Sequence, residues 1–168
     1  MVSILEKDDG TYMPESLDII EYINDIGENK INTQLSSEVQ NWLNGCNDYF
    51  YRLCMPRWAA APLEEFATES AKAYFINKKE AYVGPFKEQL DNSATLIELA
   101  ENQLNELNQL LKSKPTANAE FSMDDIEIYT ILRGLSIVKN LNYPELVEEY
   151  RLQMAKLTKV PLHVDISI

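Results

Sequence analysis

Phe121-Ser122-Met123-Asp124-Asp125-Ile126 reads as the start of a helix. In an N-capping box of this kind the Ser122 hydroxyl takes the Asp125 amide, the Asp125 carboxylate reaches back, and Phe121 staples onto Ile126. Acidic side chains in the first turn also suit the helix dipole. Beyond the box, Ile128, Ile131, Leu132, Leu135 and Val138 recur at helical spacing, a stripe wide enough for the centre of a bundle. The segment therefore predicts a helix that nucleates a helical core.

The flanking sequence supplies the partners. On the C-terminal side Pro144 opens a helix at a first-turn position, carrying Leu146, Val147, Tyr150, Met154 and Leu157 to a stop near Pro161. The tail from Leu162 to Ile168 alternates apolar and polar residues and is free to lie extended over the bundle. On the N-terminal side, past a loop at 113–121, residues 86–111 read as one long helix with Leu90, Ile97, Leu104 and Leu111 spaced by sevens. The intermediate positions, Ser93, Ala100 and Leu107, are too uneven for a long zipper, so this helix is expected inside a bundle. Gly84-Pro85 separates it from a helical stretch at 62–82, for which Thr68 is a candidate break. A further helix begins at Ser36 or Ser37 and runs through Trp42, Leu43, Tyr49, Phe50 and Leu53 to a stop near Pro56.

The front of the chain has a different character. Val2-Ser3-Ile4-Leu5, the turn Lys7-Asp8-Asp9-Gly10 and Thr11-Tyr12-Met13 predict a short β-hairpin. Ser16 then begins a run in which Leu17, Ile19, Ile20, Ile23 and Ile26 give a helix a broad apolar face, ended by Gly27. A polar connector reaches to Gln34, so two units are expected, 1–34 and 35–168. The fold class is mainly α.

Fifteen basic against twenty-seven acidic side chains in 168 residues give a net charge of −12. Such a charge repels phosphate backbones and anionic lipid, which argues against nucleic acid and membrane surfaces as partners. No stretch approaches the roughly 20 apolar residues of a membrane span, and the N-terminus turns acidic before a signal-peptide core could form. A cytoplasmic protein is expected. A hydrophobic content of 45% is ample for a buried core.

The chemistry-bearing residues are few. Cys46 and Cys54, read on one helix, stand about 12 Å apart, beyond the ~7 Å that a disulfide tolerates. With no Cys-x-x-Cys and a single histidine, His163, neither a metal cluster nor a dithiol pair is visible. Each cysteine reads as a small buried apolar side chain in preference to a reactive thiol. The aromatic group Tyr49, Phe50, Tyr51 and Trp58 reads as core in preference to a ligand wall, and Arg57 and Arg133 as structural in preference to anion ligands.

The stretch Ile4-Leu5-Glu6-Lys7-Asp8-Asp9-Gly10-Thr11-Tyr12-Met13-Pro14-Glu15-Ser16-Leu17-Asp18-Ile19-Ile20 resembles the end of the thioredoxin-like domain in glutathione-transferase-fold proteins, above all the large bacterial glutaredoxins of the glutaredoxin 2 family. Trp42-Leu43, the segment from Leu53 to Trp58, Lys78-Lys79-Glu80-Ala81, the box at Phe121 to Ile126, Leu132-Arg133 and Met154-Ala155-Lys156 extend the likeness over nearly the whole chain. The resemblance implies a glutathione-transferase-like C-terminal helical bundle preceded by a β-hairpin plus helix remnant of a thioredoxin-like, glutathione-binding domain. It implies a glutathione-dependent thiol-disulfide oxidoreductase acting on glutathionylated proteins.

Glu15-Ser16 matches the family's acidic-serine pair, where the serine hydroxyl and the free helix N–H groups hold the γ-glutamyl carboxylate of glutathione. Without the resemblance, Ser16 reads as a plain helix cap. The family's Cys-Pro-Tyr-Cys region has no counterpart, so no catalytic residue is assigned and this chain alone is expected to be inactive. Val2 stands at the position where the family's backbone contacts glutathione. A cis-proline there gives way to Val2-Ser3, and a cis bond before Ser3 would cost roughly 2.5–4 kcal/mol, so a trans bond and a weak glutathione ligand are expected, with no tightly bound cofactor. The open hairpin edge predicts self-association, by strand addition or exchange of residues 1–26. Two alternatives stand beside this reading: a non-catalytic helical interaction module on the same scaffold, and an enzyme with Cys46 or Cys54 as a lone nucleophile, against which the absence of a nearby base in the sequence argues.

Overall fold

A computed structural model of the chain describes residues 4–28, 30–47, 49–111, 116–118 and 120–168. Strands β1 (Leu5–Glu6) and β2 (Tyr12–Met13) pair antiparallel, with Leu5 opposite Met13 and Glu6 opposite Tyr12. Gly10 makes the turn at φ +80°, a conformation that costs glycine little. Helix α1 (Ser16–Ile26) follows. The bundle comprises α2 (Ser37–Cys46), α3 (Phe50–Ala60), α4 (Glu69–Val83), α5 (Phe86–Asp91), α6 (Ser93–Leu110), α7 (Met123–Leu135) and α8 (Glu145–Thr158). Short 3-10 turns occupy Glu64–Phe66 and Val164–Ile166. No described helix is long and apolar enough to cross a membrane.

Helix α7 lies in the middle, against α2, α3 and α8, and its Ile128, Leu132 and Leu135 are fully buried. Leu53 of α3, Leu96, Ala100, Leu104 and Leu107 of α6, and Val147 and Met154 of α8 close the core around it. Each large aliphatic side chain removed from water here stabilises the fold by roughly 1.5–3 kcal/mol. The Trp42 indole N–H donates to the Gln103 carbonyl at 2.8 Å, joining α2 to α6 through the one polar atom of a buried ring.

Several expectations about the elements need correction. The helix expected from Ser36 or Ser37 to Pro56 is two helices, α2 and α3, with Ser36 as the cap of the first. Gly45, Cys46 and Asn47 are weak helix formers, and the chain turns there through bonds from Asn47 N–H to Asn44 and from Tyr49 N–H to Cys46, each 3.3 Å. Pro56 then lies inside α3, which continues to Ala60. Proline removes one helical bond, but Leu53, Cys54, Met55, Pro56, Arg57 and Ala59 are all buried on this helix, and that packing outweighs the loss. Consequently Cys46 and Cys54 stand on different helices, and the same-helix spacing does not apply to them.

The single helix expected at 86–111 is broken at Asn92, whose φ of −89° and ψ of 11° put it in the bridge region. The neighbouring Ser93 hydroxyl accepts from Arg57 at 2.9 Å, which holds the bend to α3. The break rotates Leu90 out to solvent, so the buried seam of α6 is Leu96, Ala100, Leu104 and Leu107 and not the sevenfold series. Thr68 is a true break: its hydroxyl caps α4 by accepting from Ala71 N–H. Val138 is buried but lies past the end of α7. The tail rests on the bundle through a 3-10 turn as well as extended backbone. Ile168 pairs with Ile137 and Lys139 through main-chain bonds of 2.9 and 3.0 Å.

Candidate functional site

The start of α1 is exposed from Pro14 to Asp18. Pro14 leads out of β2, Glu15 is extended, and the first helical bond runs from Ile19 N–H to the Glu15 carbonyl at 3.0 Å. Glu15 is the N-cap and its side chain makes no cap bond, so Ser16 is the first helical residue and not the cap that its type suggests. The amides of the first turn thus have no partner within the helix. Glu15 and Ser16 are both exposed, and the Asp18 carboxylate sits in the same turn. An uncapped helix start carries about half a positive charge. Val2 and Ser3, with the trans bond expected before Ser3, lie outside the described residues.

A second polar centre is buried where α7 begins. The Asp125 carboxylate is fully enclosed and accepts from Ser122 N–H at 3.0 Å, Ala117 N–H at 2.6 Å and the Tyr150 hydroxyl at 2.8 Å. Ser122 and Asp125 form a reciprocal capping box. Asp124 accepts from Ser36 N–H at 2.8 Å and from the Asn118 amide at 2.9 Å, so two adjacent carboxylates join the starts of α7 and α2, the loop before α7, and α8. Burial pushes the Tyr150 phenol far above its usual range, and the Asp125 charge adds to the effect. Every one of these contacts is internal, which makes this centre a structural joint. Phe121 packs against the core beside it, and Ile126 is half-buried. Asp124 and Tyr150 carry no local sequence signal for these roles, because their partners are 88 and 25 positions away.

The two thiols are unsuited to nucleophilic work. Cys46 and Cys54 are free and buried. Burial raises the Cys46 thiol to about 11, although the Tyr49 hydroxyl donates to its sulfur at 3.2 Å, and raises Cys54 further. Burial lowers the His163 pKa, and the Arg133 charge adds to the effect while Glu65 opposes it. Arg57 is 6% exposed and donates to the carbonyls of Leu53 and Ile168 and to Ser93. Arg133 donates to the Pro161 carbonyl at 2.9 Å. Both arginines tether the C-terminal segment. Tyr49 and Phe50 are core residues, and Phe50 meets Tyr51 and Trp58 edge-on at 5.1 and 5.9 Å between centroids.

The family model for the C-terminal domain of glutaredoxin 2 matches residues 38–167. The chain belongs to the glutaredoxin 2 family. Glutaredoxin 2 of Escherichia coli K12 is 38% identical over 168 residues, covering 99% of this chain and 78% of that protein, and the protein of strain CFT073 matches equally. The crystal structure of glutaredoxin 2 from Salmonella typhimurium in complex with glutathione superposes with a TM-score of 0.94 at 38% identity, over all of this chain and 78% of that one. The glutaredoxin 2 relationship makes the fold glutathione-transferase-like: a helical bundle preceded by the hairpin and helix of a thioredoxin-like unit.

Proposed function

We propose that this chain supplies the γ-glutamyl side of a glutathione site, together with the helical domain, of a glutathione-dependent thiol-disulfide oxidoreductase. The observation that carries the reading is the uncapped start of α1, with Glu15 and Ser16 exposed on it. The γ-glutamyl end of glutathione is a zwitterion. Free helix amides and the Ser16 hydroxyl suit its carboxylate, and the Glu15 carboxylate suits its ammonium group. The Salmonella relative, solved with glutathione, supports the same ligand here.

The sulfur chemistry needs a thiolate of lowered pKa. Cys46 and Cys54 have the opposite character, and the 168 residues contain no Cys-x-x-Cys. The attacking thiolate is therefore assigned to polypeptide other than these residues, and the chain by itself is inactive toward glutathionylated proteins. Residues 1–34 serve the ligand and 35–168 form the helical domain. The working compartment is the cytoplasm, where glutathione is reduced.

A titration with ligand fragments tests the reading. Glutathione and S-methylglutathione should bind alike in calorimetry, at about millimolar strength, and cysteinylglycine, which lacks the γ-glutamyl group, should not bind. Equal binding of all three would overturn the assignment.

A second reading has its own support: Leu17, Ile23 and Ile26 of α1 are 57%, 51% and 66% exposed, and Ile4 and Tyr12 of the hairpin are exposed as well. Such a surface suits a protein partner, and a second copy added at the open strand edge is the simplest one. Sedimentation as a dimer, lost on substituting Ile23 and Ile26 by Ser, would favour it.

A further inference from the structure

Helix α1 contributes no fully buried residue to the fold: Leu17, Ile23 and Ile26 of its apolar stripe are exposed and Ile19 and Ile20 are only half-buried, so burial does little to fix it to the bundle. Its attachment is polar and is concentrated at its C-terminal end. The Asn24 side-chain oxygen accepts from Ile31 N–H at 2.8 Å, and its amide nitrogen donates to the Ile31 carbonyl at 3.3 Å. The Lys30 ammonium donates to the carbonyls of Asn24 and Asp25, both at 2.5 Å. One residue further on, the Asn32 carbonyl accepts from Met123 N–H at 2.9 Å, and Asn32 pairs with Ser122 in a parallel bridge.

The short segment 31–32 is thus held from both sides, by a side chain of α1 and by the first turn of α7. A primary amide offers a donor and an acceptor together, as a neighbouring peptide does, so Asn24 satisfies both main-chain groups of Ile31. Aspartate keeps only the acceptor; leucine, of similar volume, keeps neither.

We infer that Asn24 is a positioning residue, which locks α1, and with it the helix start carrying Ser16, in one orientation on the bundle. Ser16 is eight residues from Asn24, about 12 Å along the helix axis. A rotation about the Asn24 joint would therefore swing the Ser16 end through several ångströms. The consequence for glutathione rests on the function proposed above; the orientation itself does not. A ligand anchored at Ser16 is presented to the bundle in one direction as long as the joint holds.

Residual dipolar couplings of the whole chain in a weakly aligning medium test this directly. In the native protein the couplings of α1 and α7 should fit one alignment tensor. In Asn24→Leu those of α1 should shrink by roughly half or more while those of α7 and the bundle's melting temperature stay unchanged. Amide shifts within α1 report whether the helix persists. Should Asn24→Leu melt it, Asn24→Asp keeps the bond from Ile31 N–H and should show the same loss at smaller amplitude. Couplings of α1 that remain on the α7 tensor in both variants would overturn the inference. Glutathione titration of the native chain is separate: failure to bind would remove the ligand reading and leave the orientation result to stand or fall by itself.

Discussion

The Tyr150 hydroxyl donates to the buried Asp125 carboxylate at 2.8 Å, tying α8 to the first turn of α7. The same carboxylate caps its own helix through Ser122 and fixes the preceding loop through Ala117. Asp125→Ala leaves three or more buried donors unpaired and should cost about 4 kcal/mol, and Tyr150→Phe, which removes one bond to a charged acceptor, about 1.5 kcal/mol. Urea denaturation measures both. The double variant should cost little more than Asp125→Ala alone, because the two residues share one interaction.

Alkaline pH should destabilise the fold through its buried phenols and thiol. Burial raises the Tyr49, Tyr143 and Tyr150 phenols above their usual value and Cys46 to about 11. A raised folded pKa means that the unfolded chain loses its protons first. The contribution is complete below the unfolded values, about 8.5 for Cys and 10 for Tyr, and is lost as pH climbs toward the folded ones. Urea midpoints followed together with tyrosinate absorbance should fall above about pH 9–10, less steeply in Tyr150→Phe.

Arg57 holds three acceptors contributed by α3, α6 and the C-terminal segment. Arg57→Met should therefore destabilise the fold by about 2–4 kcal/mol. Arg57→Lys should recover little of it, since an ammonium cannot span the three acceptors as the guanidinium fork does. Proton exchange at the Lys139 and Ile168 amides, which pair only while the tail is docked, should accelerate in both variants.

Gly134 of α7 abuts the buried ring of Phe50. A methyl group there would meet Phe50 Cζ at 2.5 Å and Cε2 at 2.6 Å. Gly134→Ala gains helix propensity yet should lose about 1–3 kcal/mol to overpacking. Phe50→Leu in the same background should restore part of the loss, which thermal melts of the two variants would show.

Local order was legible in the sequence where one segment decides it. The bounds of α1 follow from its apolar spacing and Gly27, and the hairpin from its turn residues. What the sequence hides is decided at a distance. Pro56 reads as a stop, yet the helix continues because its neighbours are buried on every side. Leu90 reads as a core position until the bend at Asn92, held by Arg57 from α3, turns it outward. At the candidate site the residue types of Glu15 and Ser16 were legible, but the cap was not: Ser16 has the chemistry of an N-cap, while the backbone gives that place to Glu15 and leaves the turn open. The apolar stripe of α1 predicts burial, yet Leu17, Ile23 and Ile26 are exposed and Ile19 and Ile20 are only half-buried. The Asn24 joint gives no pattern at all, since its partner Ile31 is recognised only through main-chain atoms.

The most direct test of the functional claim is a glutathione titration of the chain followed by amide shifts across the first turn of α1, with Ser16→Ala in parallel. Saturable shifts centred on Ser16, Leu17 and Asp18 are expected in the millimolar range, weakened about tenfold in Ser16→Ala. Unmoved amides in that turn at ~20 mM glutathione, with the spectrum of a folded protein, would contradict the claim.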